Sequence, residues 1–246
     1  MTEPDTESGL EQPMRLDRFV QKRLSRSARS VRYLFAERKI LLNGVATDDG
    51  LQQITKFCRV EADGKLLHDC EPLYVMMHKP RGCVSATRDN KNTTVMALID
   101  LPKKEQLHLA GRLDFNTTGL LLLTNDGNWS SRIMYPQHKL AKTYLVECSQ
   151  KITSDYVQKF AEGIYFGFEN LVTRPAQLKL LCATTAELTI HEGRYHQIKR
   201  MFGFFGNEVV SLHRLSVGSI VLDKDLGAGE YRHLAAAEVA SVFQAI

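Results

Sequence analysis

A run of apolar residues beside one polar loop marks the middle of the chain. Residues 120–123 are four consecutive leucines, preceded by Gly119 and followed by an Asn-Asp-Gly turn. A short apolar run with such borders is typical of a buried strand that ends in a turn. An apolar segment also leads up to Gly111, so the pattern predicts that Asp114 lies on a loop between two buried segments. Rigidly held loops often carry reactive groups, but the local pattern alone favours a turn residue that binds nearby amides.

Two short amphipathic helices are predicted near the start of the chain. Apolar residues recur at helical spacing over 14–24 and again over 25–39, and Ser25 or Ser27 could cap the second helix. Residues 41–45 then indicate a strand that enters an Asn-Gly turn. The opposite faces of the two helices are basic, and the residues there are Arg15, Arg18, Lys22, Arg26, Arg29 and Arg32.

The distribution of charge points to a polyanionic partner. The formal net charge is +4, but residues 1–13 hold four acidic and no basic residues. Residues 14–60 hold eleven Lys and Arg against four Asp and Glu, a net charge of +7. Positive charge concentrated in a small module is typical of a surface that binds a phosphate backbone. Such a face can also serve only to keep a helix solvated.

Periodicity predicts further elements in the second half of the chain. Ile198, Met201, Phe202 and Phe205 recur at the spacing of a helix with one buried face. Alternating or short apolar runs bounded by turn residues indicate strands. Strands are predicted over 73–77, 142–146 and 219–222, a hairpin over 177–191, and helices over 152–162 and from about 235.

Composition bounds the class of protein. With 246 residues, 43% hydrophobic and 24% charged, the chain is long enough for two modest globular domains. The five cysteines are scattered without a C-x-x-C pair, which argues against a disulfide framework or a zinc site. The acidic start does not resemble a signal peptide, no apolar run approaches the ~18 residues of a membrane span, and no glycine-rich phosphate loop is visible. We therefore expect a cytoplasmic protein that uses no metal or cofactor.

Three segments resemble the signature motifs of RNA pseudouridine synthases, in the branch that modifies ribosomal RNA. They are GRLDFNTTGLLLLTNDG at 111–127, KTY at 142–144 and EGRYHQIKRMF at 192–202. The resemblance covers residues 14–246 and implies an α+β fold, whose catalytic domain has a mixed or antiparallel sheet flanked by helices. It implies Asp114 as the nucleophile, Tyr144 as the residue that stacks on the target base and transfers a proton, and Lys199 as the cation paired with Asp114.

The resemblance also assigns domains and contact residues. Residues 14–64 resemble the S4 RNA-binding module, although Arg38-Lys39 replaces the usual small turn before its strand. The predicted domains are an acidic disordered tail (1–13), the S4-like domain (14–64), a linker (65–73) and the catalytic domain (74–246). The residues expected to hold the substrate are Arg112, Ile198, Arg194, His196 and Arg200. Lys79, in a basic turn predicted after the strand at 73–77, joins the six basic residues of the first two helices as an RNA contact.

The implied reaction explains why these residue types are needed. Isomerisation of uridine to pseudouridine breaks a C–N glycosidic bond and forms a C–C bond without a redox change. A carboxylate held beside the ribose can act as the nucleophile, and a neighbouring cation stabilises its ionised form against desolvation. We therefore predict a carboxylate–ammonium distance of about 4 Å or less between Asp114 and Lys199.

Three alternatives accompany this reading. The expected substrate is small-subunit (16S) ribosomal RNA, free or in an assembling subunit, acted on by a monomer, but neighbouring branches with large-subunit targets share these motifs. A non-catalytic S4-type RNA-binding or ribosome-assembly protein would share the basic faces, yet it has no use for Asp114, Tyr144 and Lys199 together. A glycosidase would need two carboxylates, and no second carboxylate stands near a matching motif.

Overall fold

The chain divides into two compact units, Met1–Pro72 and Leu73–Ile246. The computed structural model describes residues 13–135, 137 and 140–244, so the predicted acidic tail lies outside the described residues except for Pro13. Within these ranges no helix is long and apolar enough to cross a membrane.

The first unit packs two helices with two small sheets. Its elements in chain order are β1 (Met14–Arg15), α1 (Leu16–Leu24), α2 (Ala28–Ala36), β2 (Ile40–Leu42), β3 (Val45–Ala46), β4 (Gln53–Ile54), β5 (Val60–Ala62) and β6 (Lys65–His68). The strands pair in the order β3-β2-β5-β6, and β1 pairs with β4. Ser27 caps α2, because its side chain accepts a hydrogen bond from the Ser30 N–H. Since β6 runs to His68, this sheet includes residues that the sequence assigned to a linker.

The second unit is built on one large sheet. Its strands are β7 (Tyr74–Lys79), β8 (His108–Leu109), β9 (Thr118–Thr124), β10 (Lys142–Cys148), β11 (Tyr165–Phe166), β12 (Leu171–Val172), β13 (Gln177–Leu180), β14 (Thr185–Ile190), β15 (Val209–Val217), β16 (Ile220–Val221) and β17 (Tyr231–His233). Its helices are α3 (Gly127–Met134), α4 (Ser154–Glu162), α5 (Gln197–Gly203) and α6 (Ala236–Gln244), with 3-10 turns at Val95–Leu98 and Lys104–Gln106.

The sheet is mixed, with helices on both faces. Its main path is β13-β14-β10-β15-β9-β7-β17, while β8 pairs with β9 and β16 with β15. The strands β11 and β12 lie outside it and form a separate two-stranded sheet. Among the pairings of the described strands, β9 with β15 is parallel and the others in this sheet are antiparallel. The predicted α+β architecture with a mixed sheet flanked by helices is therefore confirmed.

The leucine run owes its continuity to burial on both faces of the sheet. Leu120 and Leu122 pack into the cluster that contains Trp129 of α3 and Val242 of α6. Leu121 and Leu123 point to the opposite face, into the cluster built with α4 and α5. Successive strand residues face opposite sides, so a strand covered on both sides is apolar at every position.

Candidate active site

Asp114 lies on the loop between β8 and β9, as the hydrophobic pattern predicted. The preceding residue, Leu113, is anchored by Ser85, whose Oγ accepts from the Leu113 N–H at 3.1 Å and donates to the Leu113 carbonyl at 2.8 Å. On the other side, the Thr117 N–H donates to the Asp114 carbonyl at 3.0 Å. The carboxylate, 31% exposed, is therefore presented by a fixed backbone.

Lys79 supports this loop from inside the protein, which corrects its assignment to RNA contact. It ends strand β7 instead of lying in a turn, and its side chain is fully buried. Its ammonium donates to the carbonyls of Thr117 at 2.9 Å, Pro80 at 3.1 Å and Phe115 at 3.4 Å. Burial lowers the pKa of Lys79. A buried cation that binds three backbone oxygens holds a loop and cannot reach a phosphate in solvent.

Two side chains at the start of α5 approach the Asp114 carboxylate. Lys199 Nζ lies 3.6 Å from Asp114 Oδ2, within the predicted distance, and His196 Nε2 lies 3.6 Å from the same oxygen. At this separation the contact is an ion pair with Lys199 rather than a short hydrogen bond. His196 itself is the N-cap of α5, in a left-handed conformation with φ of 48°, and so it directly precedes the helix that carries Lys199.

A buried polar pair, which sequence reasoning missed, shapes the turn that carries His196. Gln197 Nε2 donates to Glu192 Oε1 at 2.8 Å, and Gln197 Oε1 accepts from the Arg194 N–H at 2.9 Å. Glu192 also accepts from the Arg174 N–H at 2.9 Å and is only 3% exposed. Buried polar side chains with all these partners rigidify a turn, but the sequence signalled them only through the EGRYHQIKRMF string.

Asp114, Tyr144 and Ile198 line one cavity of about 590 Å³. Tyr144 lies on β10 and is 7% exposed, while Ile198 of α5 is 4% exposed. Lys199, His196 and Gly193 also line this cavity. Its volume falls in the range of pockets that enclose small ligands. The three motifs, distant along the chain, thus converge on a single recess with a carboxylate in its wall.

The three arginines predicted to hold substrate differ in their surroundings. Arg112 lines the cavity and makes no ion pair or hydrogen bond with any residue that the structure describes. Arg194 also lines it, with Nε 3.0 Å from Glu192 Oε2. Arg200 does not. Both of its terminal nitrogens bind Glu169 at 2.6 Å, and its guanidinium lies 3.7 Å from the centre of the Phe166 ring. Its predicted phosphate contact is therefore replaced by a structural ion pair.

Some of the basic residues of the first unit form ion pairs with acidic neighbours, and others are exposed. Arg15 binds Asp17 at 2.6 Å, and Arg26 lies 3.4 Å from Asp63. Lys22, Arg29 and Arg32 are exposed and have no ion pair within the described part of the chain. Arg18 is also exposed. These four residues leave a basic surface open on α1 and α2.

The fold and the cavity define a pseudouridine synthase, and comparisons with known proteins agree. Residues 73–203 match the model of the family described as RNA pseudouridylate synthase, so the chain belongs to this family. It is 48% identical over 230 residues to the ribosomal small subunit pseudouridine synthase A of Pseudomonas aeruginosa, a match that covers 93% of this chain and 100% of the relative. The relative of the same name in Escherichia coli is 42% identical over 236 residues, with 93% and 100% covered. A crystal structure of a pseudouridylate synthase, 40% identical, superposes with a TM-score of 0.68 and covers 93% of this chain and 99% of its own.

Proposed function

We propose that this chain converts a uridine in small-subunit ribosomal RNA into pseudouridine, with Asp114 as the nucleophile. The observation that carries the proposal is the Asp114 carboxylate, which faces the cavity with the Lys199 ammonium 3.6 Å from its Oδ2. The names of the Pseudomonas aeruginosa and Escherichia coli relatives support the choice of substrate.

In this mechanism the Asp114 carboxylate attacks the C1′ carbon of the target nucleotide. The C1′–N1 bond breaks, the uracil turns within the cavity, and its C5 carbon forms the new bond to C1′ as the carboxylate leaves. The Lys199 ammonium, 3.6 Å from Asp114 Oδ2, balances the negative charge of the carboxylate when the substrate excludes water. His196, at the same oxygen, orients the carboxylate.

The target base must leave its stack to reach Asp114. Flipping a base costs a few kcal/mol and is easiest in an unpaired loop. Tyr144 and Ile198 offer an aromatic and an aliphatic wall of the cavity for the flipped uracil, and Tyr144 transfers the proton that leaves C5 when the C5–C1′ bond has formed. Arg112 and Arg194, at the same cavity, hold the flanking phosphates.

The first unit adds affinity that does not depend on sequence. Its residues Arg18, Lys22, Arg29 and Arg32 are exposed, and each contact with a phosphate releases counterions. We assign this S4-like unit to RNA binding, in a protein that acts as a monomer in the cytoplasm on free RNA or an assembling small subunit.

The proposal is tested by tritium release from unmodified small-subunit RNA that carries 5-tritiated uridine. Tritium leaves C5 when the C5–C1′ bond forms, so we expect release by the wild-type protein and at least a 10³-fold slower release by Asp114→Asn. Asp155→Asn, at an exposed position of α4, is the matched control and should keep the wild-type rate. Equal rates for wild type and Asp114→Asn would remove Asp114 from the mechanism.

The same assay separates the possible RNA targets. Large-subunit RNA, tritiated in the same way, should release no tritium above background. Release from large-subunit RNA alone would move the proposed function to that subunit and leave the role of Asp114 intact.

A further inference from the structure

Two buried polar atoms, on residues that line the cavity, have no hydrogen-bond partner among the described residues. They are Thr117 Oγ1 and Arg214 Nη2, on residues that are each only 2% exposed. An unsatisfied buried polar group costs about 1–3 kcal/mol, and more if it is charged. Two such atoms on the residues of one cavity leave hydrogen-bonding capacity unused in its wall.

Arg214 is held in place by the sheet. It lies on β15, opposite Gly119 of β9 on one side and Tyr144 of β10 on the other. Its Nε donates to the Leu120 carbonyl at 2.7 Å. That bond fixes the guanidinium plane, and Nη2 is left without an acceptor among the residues that the structure describes. The donor is therefore preorganised before any ligand arrives.

Lys142 places a second, partly buried cation at the same cavity. It shares a strand face with Tyr144, two residues along β10, and both line the cavity. Its Nζ donates to the Leu140 carbonyl at a long 3.3 Å. Burial, followed by the charge of Arg214, lowers the pKa of Lys142 to about 8. Since two cations in a low-dielectric place repel each other, a negatively charged group between them would be strongly favoured.

The depth of Arg214 identifies which part of a nucleotide it meets. Lys199 and Arg194 keep 34% and 38% of their side chains exposed, whereas Arg214 is 2% exposed. The phosphates of a flipped nucleotide stay with the strand at the mouth of the cavity, while the base enters furthest. Arg214 therefore faces the uracil, with the charge of Lys142 close to it in the same cavity, and the more exposed cations face the backbone.

The isomerisation itself creates negative charge on the uracil. When the C1′–N1 bond breaks, its electron pair passes to the base and spreads over N1, O2 and O4, while C1′ bonds to a carboxylate oxygen of Asp114. The C5–C1′ bond then forms and releases that carboxylate, C5 loses its proton and N1 gains one, so that the composition is unchanged. Donors that bind the anion better than the neutral base accelerate the first step.

We propose that Lys142 and Arg214 bind the carbonyl oxygens of the flipped uracil and stabilise the anion that forms when the glycosidic bond breaks. This inference rests on the proposed function. It adds Lys142 and Arg214, to which sequence reasoning had given no role, to the residues that contact the substrate.

The test compares small-subunit RNA transcribed with uridine and with 5-fluorouridine, under single-turnover conditions. Loss of the target nucleoside is measured after nuclease digestion, together with RNA affinity and thermal midpoint. Lys142→Met should slow the reaction of uridine RNA by about 100-fold, the effect of removing one donor to a developing charge. With 5-fluorouridine RNA the rate should fall by less than about 10-fold, because fluorine itself stabilises the anion and the donor contributes less. RNA affinity should change by less than about 3-fold, since the anion forms only after binding.

Controls keep the outcomes distinct. Lys142→Arg, which keeps the charge, should retain most of the rate, and Lys179→Met, at an exposed position of β13, all of it. Arg214→Lys should repeat the substrate-dependent decrease, and it decides the question if Lys142→Met does not fold. Equal decreases in rate on both RNAs, or no decrease on either, would overturn the inference about Lys142 and Arg214. The proposed function would still stand, because it depends only on the activity of the wild-type protein. A wild-type protein inactive on uridine RNA would overturn both.

Discussion

Gly119 and Arg214 touch backbone to backbone where β9 and β15 run parallel. Gly119 has a φ of +104°, and a methyl group there would lie 2.6 Å from the Arg214 nitrogen and overlap the Arg214 carbonyl oxygen. Only glycine allows this approach. The close approach joins the end of the Asp114 loop to the strand that carries the buried guanidinium.

Replacing Gly119 with alanine should therefore destabilise the second unit. Both the left-handed φ and the steric overlap oppose a side chain, so we expect the free energy of unfolding to fall by about 3 kcal/mol or more. Gly203→Ala, in α5 with open space around it, should change stability by less than about 1 kcal/mol. Urea unfolding of both variants measures the difference, and similar stabilities would contradict the close approach.

Removal of the Lys199 charge should slow catalysis without preventing RNA binding. We expect Lys199→Met to reduce the rate of tritium release by about 100-fold, because Asp114 loses its cation at 3.6 Å. Lys199→Arg should keep much of the rate, since a guanidinium can also pair with the carboxylate. Lys151→Met, at an exposed position, serves as the control. A wild-type rate for Lys199→Met would assign the pairing role elsewhere.

The buried position of Lys79 predicts a structural effect of its removal. Lys79→Met leaves three backbone carbonyls of the Asp114 loop region without their donor, which should cost about 1–3 kcal/mol of stability and lower the rate. The dependence of RNA affinity on salt should not change, because Lys79 is fully buried. A flatter salt dependence of the variant, measured by filter binding, would show that Lys79 does contact a phosphate.

The arginines of α2 and of the turn before it predict a salt-dependent contribution to RNA affinity. Replacing Arg26, Arg29 and Arg32 with glutamine should weaken binding and flatten its salt dependence by about 0.7–0.9 in log–log slope for each phosphate that is no longer neutralised. The matched control replaces the exposed Lys91, Lys103 and Lys224 of the second unit, and should alter the slope less. An unchanged slope for the arginine variant would mean that these residues only solvate the helix.

The lowered pKa of Lys142 makes stability depend on pH. Burial and the Arg214 charge move this pKa from 10.5 to about 8, so between these values the unfolded chain binds more protons than the folded one. The free energy of unfolding should therefore rise with pH from about 8 to 10.5, by on the order of 3 kcal/mol. Lys142→Met should lack this rise and be the more stable protein at pH 7. Parallel curves of stability against pH for the two proteins would contradict the lowered pKa of Lys142.

Local patterns in the sequence determined most of the elements. The four leucines predicted the buried strand β9, the alternating residues of 177–191 predicted the β13–β14 hairpin, and Asn43-Gly44 predicted the tight turn, whose two residues have positive φ. The motif strings brought Asp114, Tyr144 and Lys199 together as candidates for one site. Periodicity and turn chemistry act between near neighbours, and so they can be read directly from the chain.

Only the tertiary structure decided which charges are buried and what they bind. Lys79 and Arg200 looked like surface cations, but β7 buries the first and Glu169 engages the second. Arg214 comes to lie beside Gly119 through the parallel pairing of two strands far apart in the chain. The environment of a charged side chain depends on such long-range packing, which local periodicity does not encode.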